Sequence, residues 1–253
     1  MALPKSVADE LHRQQAQTDL RVVKLPPLDN GDRLTREEFE RRYHAMPLLK
    51  KAELIEGIVY MPSPVHFKTH GNPHGYLITW AFVYATSTFG VLAGDNVTVR
   101  LDEKNEPQPD VALLLDQAAG GQAWISRDDF VEGAPELVAE VAASSASYDL
   151  HVKLPVYQRH RVREYIVWRV YDAELDWFEL RGGKYVRLRP GAKGVIRSRV
   201  FPGLWLDVKA LLKGDLARVL AVLQEGLASK ENAAFVKRLK KKAGSKKAGS
   251  KKA

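Results

Sequence analysis

Two short runs that are almost wholly apolar, VALLL at 111–115 and ELVAEVAAS at 136–144, set the tightest limit on what this chain can fold into. Each has the length of a strand. A strand that is apolar at nearly every position has no solvent face, so both belong in the middle of a sheet covered on both sides. The surrounding sequence supplies covers and further strands. Thr35-Arg-Glu-Glu38 matches a capping box ahead of Phe39 and Tyr43 and predicts a helix over 36–45. Residues 52–61 predict a strand stopped by Pro62 and Pro64, and a helical run follows as far as Thr88. Residues 91–101 and 163–170 have strand patterns, and the segments 173–180 and 184–190 flank Arg181-Gly182-Gly183 as a β-hairpin. Asp207 is placed to cap a closing helix over 208–227. Strands in the middle with helices on either side give an α/β or α+β fold around a mixed sheet.

The chain is 253 residues long and 45% hydrophobic, enough for one sizeable core. Residues 1–33 are polar and form a loosely ordered lead-in; 34–228 form the domain; 229–253 are expected to be a disordered, Lys-rich tail. Nine Lys or Arg and no acid fall within 237–253, so the net charge of +8 leaves −1 for residues 1–236. The tail is thus the candidate nucleic-acid contact, through Lys240, Lys241, Lys242, Lys246 and Lys247, with solubilisation as the plainer alternative. No cysteine is present, so a metal would have to be held by carboxylates or histidines. No run is long enough to span a membrane and the first residues lack a secretory h-region, so a soluble, cytoplasmic protein is expected.

Pro109-Asp110 opens the first apolar strand, and Glu140 lies inside the second. If the strands are neighbours, the two carboxylates converge. An acid inside an apolar strand needs a metal, a base or a proton, because an unpaired buried carboxylate is expensive. The plainer readings are that Glu140 faces solvent or an arginine and that Asp110 caps a turn. Asp149 and Lys153 follow, four residues apart and so on one helical face, placing a cation beside the carboxylates. Carboxylates with an adjacent lysine are what phosphodiester hydrolysis assisted by a divalent cation requires. A surface ion pair is the alternative.

Four segments in register, AELIEGIVYM, QPDVALLL, PELVAEVAASSASYDLHVK and VREYIVW, resemble the Uma-type restriction endonuclease family, a bacterial branch of the PD-(D/E)XK nuclease superfamily. The resemblance runs from about Arg33 through Asp207. It implies a restriction-endonuclease-like mixed β-sheet flanked by helices and a Mg²⁺-dependent endonuclease, with Mn²⁺ as substitute, acting on DNA. It implies Asp110 and Glu140 as metal ligands, with Lys153 in place of the usual lysine two residues after the glutamate, where Ala142 stands. Glu53 would complete the site, Val141 would offer its carbonyl, and Glu56 is a weaker candidate. His70 lies near a histidine common in the family, and Asp149 is accessory. Related enzymes often act as homodimers. The chain departs from the family at Pro155, which threatens a helix running through Lys153. That departure keeps an alternative open: a catalytically inactive nuclease-fold module that binds DNA or a partner.

Three other patterns carry less weight. His66, His70 and His74 recur every fourth residue, as in some zinc sites, but Gly71 and Pro73 argue against a continuous helix there. Tyr171, Trp177, Phe178 and Tyr185 could stack on bases, although aromatics at strand spacing are commonly packing. Gly191–Gly194 lacks the spacing of a phosphate-binding loop, and no serine elbow is present.

Overall fold

The structure, a computed structural model, describes residues 25–62, 64–191 and 193–250, with side chains as far as Ser245. Helix α1 (Arg36–His44) is followed by strands β1 (Glu53–Ile55) and β2 (Ile58–Tyr60), helix α2 (Asn72–Ser87), and strands β3 (Val91–Asp95), β4 (Val99–Arg100) and β5 (Val111–Leu115). Next come β6 (Trp124–Ile125), β7 (Val131–Glu132), β8 (Leu137–Ala142) and helix α3 (Leu154–Arg159). Strands β9 (Glu164–Arg169), β10 (Glu174–Arg181), β11 (Lys184–Arg187), β12 (Val195–Arg197) and β13 (Trp205–Asp207) precede helices α4 (Val208–Leu212), α5 (Leu216–Leu227) and α6 (Lys230–Ser250).

Six strands form one mixed sheet in the order β11-β10-β9-β8-β5-β3, in which only β8 and β9 run parallel. The two apolar runs are its middle. Every residue of β5 and β8 is buried, as their composition requires. Alternation assigns their faces. Leu113, Ala139 and Val141 pack with Trp80 and Tyr84 of α2, Val219 and Leu223 of α5, and Phe235 and Leu239 of α6. On the opposite face Val138 and Ala142 pack with Tyr157, Val162 and Tyr165. Glu140 lies between Val138 and Ala142 in the alternation, and so faces the helix that connects β8 to β9.

Four expectations change in detail. Residues 53–60 are a two-strand hairpin turning on Glu56 and Gly57, both at positive φ. Gly214, also at positive φ, divides the closing helix in two, with Asp207 capping α4 and Asp215 capping α5. The lead-in is packed where it is described: Leu28 is buried, and Gly31 donates its N–H to the Val59 carbonyl at 2.8 Å. Residues 1–24 lie outside the described residues. The expected disordered tail begins as helix α6, whose Asn232, Phe235 and Leu239 are buried at helical spacing. Leu239 shares the core with Ala119 of the short turn that follows β5, so α6 docks beside the C-terminal end of β5. Lys240, Lys241 and Lys242 are exposed on it, while the side chains of Lys246 and Lys247 lie outside the described residues. Among the described residues no helix is long and apolar enough to cross a membrane.

Candidate active site

Strands β5 and β8 are neighbours, paired Val111↔Ala139, and one step beyond that pair Asp110 meets Glu140. The Asp110 N–H points to Glu140 Oε2 at 3.4 Å, and the Val141 N–H donates to Asp110 Oδ2 at 2.8 Å. Both carboxylates are buried, 3% exposed, and stand on a cavity of about 590 Å³. Lys153 enters from the crossover. Its Nζ donates to Glu140 Oε1 at 3.0 Å and to Glu53 Oε1 at 2.9 Å, and lies 3.8 Å from Asp149 Oδ1. Glu53, on the β1 hairpin, also accepts the Gln108 N–H at 2.7 Å, tying that hairpin to the strand entrance before Asp110.

Pro155 is compatible with this placement because the helical run changes pitch before it. Ala146–Tyr148 is one α-helical turn, Asp149–Lys153 is a π turn closed by the Leu154 N–H on the Asp149 carbonyl, and Pro155 sits in the first turn of α3. A proline is tolerated there because its missing N–H has no obligatory partner. Across the cavity a second π turn, Phe67–Gly71, leads into α2 with Pro73 in its first turn, so the chain is helical through His70 and His74, while His66 is extended just ahead of it.

The histidines do not converge on a common point. His70 Nδ1 lies 3.2 Å from the Val141 carbonyl and Nε2 3.8 Å from Asp110 Oδ1. His74 Nε2 instead contacts the Asp110 carbonyl at 3.0 Å and Asp95 Oδ1 at 3.3 Å. His66 lines the cavity at the start of the π turn. Glu56 is turned away from the cavity and pairs with Arg159 on the surface. Of the aromatics, Trp177 is core and Phe178 and Tyr185 pack around Tyr165, whereas Tyr171 is 64% exposed at the cavity rim.

Two residues not singled out from sequence belong to the constellation. Lys51 Nζ approaches Asp110 Oδ1 at 3.3 Å and donates to Asn96 Oδ1 at 2.7 Å. Tyr157 donates its hydroxyl to Glu140 Oε1 at 3.0 Å. Their signals were spacing: Lys51 is two before Glu53 in extended chain, and Tyr157 is four after Lys153 on one helical face.

Charge follows from crowding. Burial pushes the Glu140 carboxyl up, to about 8, against the pull of Lys153 and with Asp110, Asp149 and Glu53 adding to the rise. Burial likewise lifts Asp149 to about 6, opposed by Lys153 and by the Ser145 hydroxyl. At Asp110 burial is outweighed by Lys51, the Val141 N–H and the two imidazoles, which hold it below the ordinary carboxylate range. Burial alone would lower Lys153, but Glu140, Glu53 and Asp149 hold its ammonium well above its ordinary range. Four carboxylates therefore surround two ammonium groups, an excess of hard oxygen donors that suits a divalent cation. Among the described residues no three His, Asp or Glu side chains are already grouped to hold a metal, and Lys153 stands between Glu53 and Glu140.

A family model described as "Uma2: Putative restriction endonuclease" matches residues 36–209. The fold is similar to that of a crystal structure described as a "putative nuclease belonging to DUF820" from Anabaena variabilis, with a TM-score of 0.53. Sequence identity is 10%, covering 69% of this chain and 97% of that one, so the likeness is one of fold. No curated protein matches the chain.

Proposed function

The chain belongs to the Uma2 family, and on that footing we propose that it is an endonuclease that hydrolyses DNA phosphodiester bonds with a divalent cation, Mg²⁺ or Mn²⁺ in its place. The observation that carries this reading is Lys153 Nζ, buried and within 3.0 Å of both Glu140 and Glu53 beside Asp110. Asp110, Glu140 and Glu53 would hold the cation, with the Val141 carbonyl and Asp149 accessory to them. What a cation supplies there, when bound, is acidity for water and countercharge for the phosphoryl oxygens.

In the reaction a water oxygen bonds to phosphorus and gives up a proton to solvent, the bond from phosphorus to one ester oxygen breaks, and the departing oxygen takes up a proton from solvent. Lys153 is an ammonium among carboxylates, so it donates and does not abstract: it orients the water and offsets charge gathering on the phosphoryl group. Tyr157 fixes the Glu140 oxygen that it shares with Lys153, and Lys51 offsets charge at Asp110. The exposed lysines of α6 would attract phosphates without reading sequence. The π turn before Pro155 supports activity over the inactive-module alternative, since the proline does not displace Lys153.

Supercoiled plasmid incubated with the protein and Mg²⁺, Mn²⁺ or EDTA tests this, alongside folded Glu140→Ala and Lys153→Ala variants. Metal-dependent nicking lost in both variants is expected. Nicking that survives in either variant, or in EDTA, sinks the assignment; DNA binding with no nicking under any metal selects the inactive module.

A further inference from the structure

We infer that His70 is a metal ligand through Nε2, so that the cavity takes its cation on mixed oxygen and nitrogen donors and favours a transition-metal dication over Mg²⁺. The inference rests on the nuclease reading for what the cation is used for. Its geometry stands separately.

His70 Nδ1 lies 3.2 Å from the Val141 carbonyl oxygen. A carbonyl oxygen only accepts, so Nδ1 carries the hydrogen and a neutral ring presents its lone pair at Nε2. That nitrogen is 3.8 Å from Asp110 Oδ1. The gap is too long for a hydrogen bond, and with the ring neutral two acceptors face each other across it. Ligand atoms that each lie about 2.0–2.2 Å from one metal ion stand roughly 3–4 Å apart, which is this separation. A histidine that ligates through one nitrogen and donates the other N–H to a backbone carbonyl is the usual arrangement at metal sites. The Val141 carbonyl thereby acts on the cation through the imidazole it orients.

Lys51 Nζ also approaches Asp110 Oδ1, at 3.3 Å. Its side chain is a quarter exposed and bonded to Asn96 at 2.7 Å, so it can retain Asn96 while yielding Asp110. His74 plays a different part. Both contacts of its Nε2, the Asp110 carbonyl and Asp95 Oδ1, are acceptors, so that nitrogen is a donor that positions the Asp110 backbone. Imidazole raises affinity along the series from Mn²⁺ towards Co²⁺ and Ni²⁺ more than it does for Mg²⁺, which prefers oxygen.

The test is calorimetric titration of Mn²⁺ and of Mg²⁺ into the full chain and into His70→Asn, whose side-chain amide retains an N–H for the Val141 carbonyl. Mn²⁺ affinity is expected to fall about tenfold or more, and the preference for Mn²⁺ over Mg²⁺ to shrink with it. Equal Mn²⁺ affinity in the two proteins, or no Mn²⁺ binding by the wild type, overturns the ligand role. Should His70→Asn not fold, nitrogen NMR of the wild type decides: Zn²⁺ must shift the His70 Nε2 resonance, and an unmoved resonance overturns the role. Plasmid nicking by the same preparations separates the two claims. Nicking by a wild type whose Mn²⁺ affinity does not depend on His70 removes only the ligand role, whereas His70-dependent binding without nicking removes only the nuclease.

Discussion

At the N-terminal end of β5, Asp110 is buried where four carboxylates meet Lys51 and Lys153, every one of them in contact with another charge or a backbone donor. Beside its C-terminal end, helix α6 exposes Lys237, Arg238, Lys240, Lys241 and Lys242, none of which has a carboxylate partner among the described residues. Five residues of strand, about 16 Å, separate the two ends. Charge buried among opposite charge fixes geometry and is weakly screened; charge exposed on a helix attracts at a distance and is readily screened by salt. Under the proposed function, chemistry and attraction would thus fall to different poles of the molecule, although the raw sequence charge merges them.

The sharpest way to break the comparison is to remove the cation from each pole. Lys153→Met leaves Glu53 and Glu140 without their shared donor; nicking should fall by about 10²–10³, and urea unfolding should show a loss of roughly 3–5 kcal/mol. Replacing Lys240, Lys241 and Lys242 together by alanine should change stability by no more than about 0.5 kcal/mol per site. Equal stability losses at the two poles would dissolve the distinction.

Next in size, Phe235→Ala should destabilise by about 3–5 kcal/mol, because that ring belongs to the main core. An unchanged melting temperature would mean that α6 is not part of the packed body.

Glu140→Gln addresses the cavity alone. The folded Glu140 carboxyl is raised to about 8 from 4.5, so the folded protein holds this proton more tightly than the unfolded chain. Its contribution to stability is full below about pH 4.5 and is lost as pH rises through 8. The variant has nothing to ionise there. Its stability relative to wild type should therefore increase between pH 5 and 8 by an amount on the order of a few kcal/mol, even as nicking is abolished. A pH-independent difference would show that Lys153 fully offsets the burial of Glu140.

The smallest effect on stability is expected from deleting residues 243–253. The melting temperature should hold, while the slope of DNA affinity against salt should flatten by up to about 0.9 for each lysine that had met a phosphate. An unchanged slope would remove the lysines beyond Lys242 from DNA binding.

What could be read in advance depended on whether local pattern and local structure coincide. The runs containing Ala112 and Ala139 have one interpretation, and pairing them brought Asp110 to Glu140 as expected. Thr35 caps α1, and Gly182-Gly183 turns the β10–β11 hairpin at positive φ. The β1–β2 hairpin was hidden because the first of its two turn residues is Glu56 at positive φ, a conformation that a glutamate seldom adopts, which leaves Gly57 as a lone glycine in a strand pattern. Helix α6 was hidden because Phe235 and Leu239 form an apolar stripe only two residues deep amid lysines. Lys51 and Tyr157 were passed over because each has an ordinary surface or core interpretation at its own position; their role arises only when the β1 hairpin and the crossover meet at Glu140 and Asp110.

The two π turns that face each other across the cavity impose a constraint of number more than of chemistry. Each spans one residue more than the α turn it replaces, which turns everything beyond it by roughly 100° about the helix axis. Asp149 opens such a turn and Tyr157 follows it, and both reach the Lys153–Glu140 pair in the register that the turn sets. His151 is exposed, so its side chain is free to vary, yet its position in the count is not. Along this stretch the chain should accept many substitutions and no single-residue deletion.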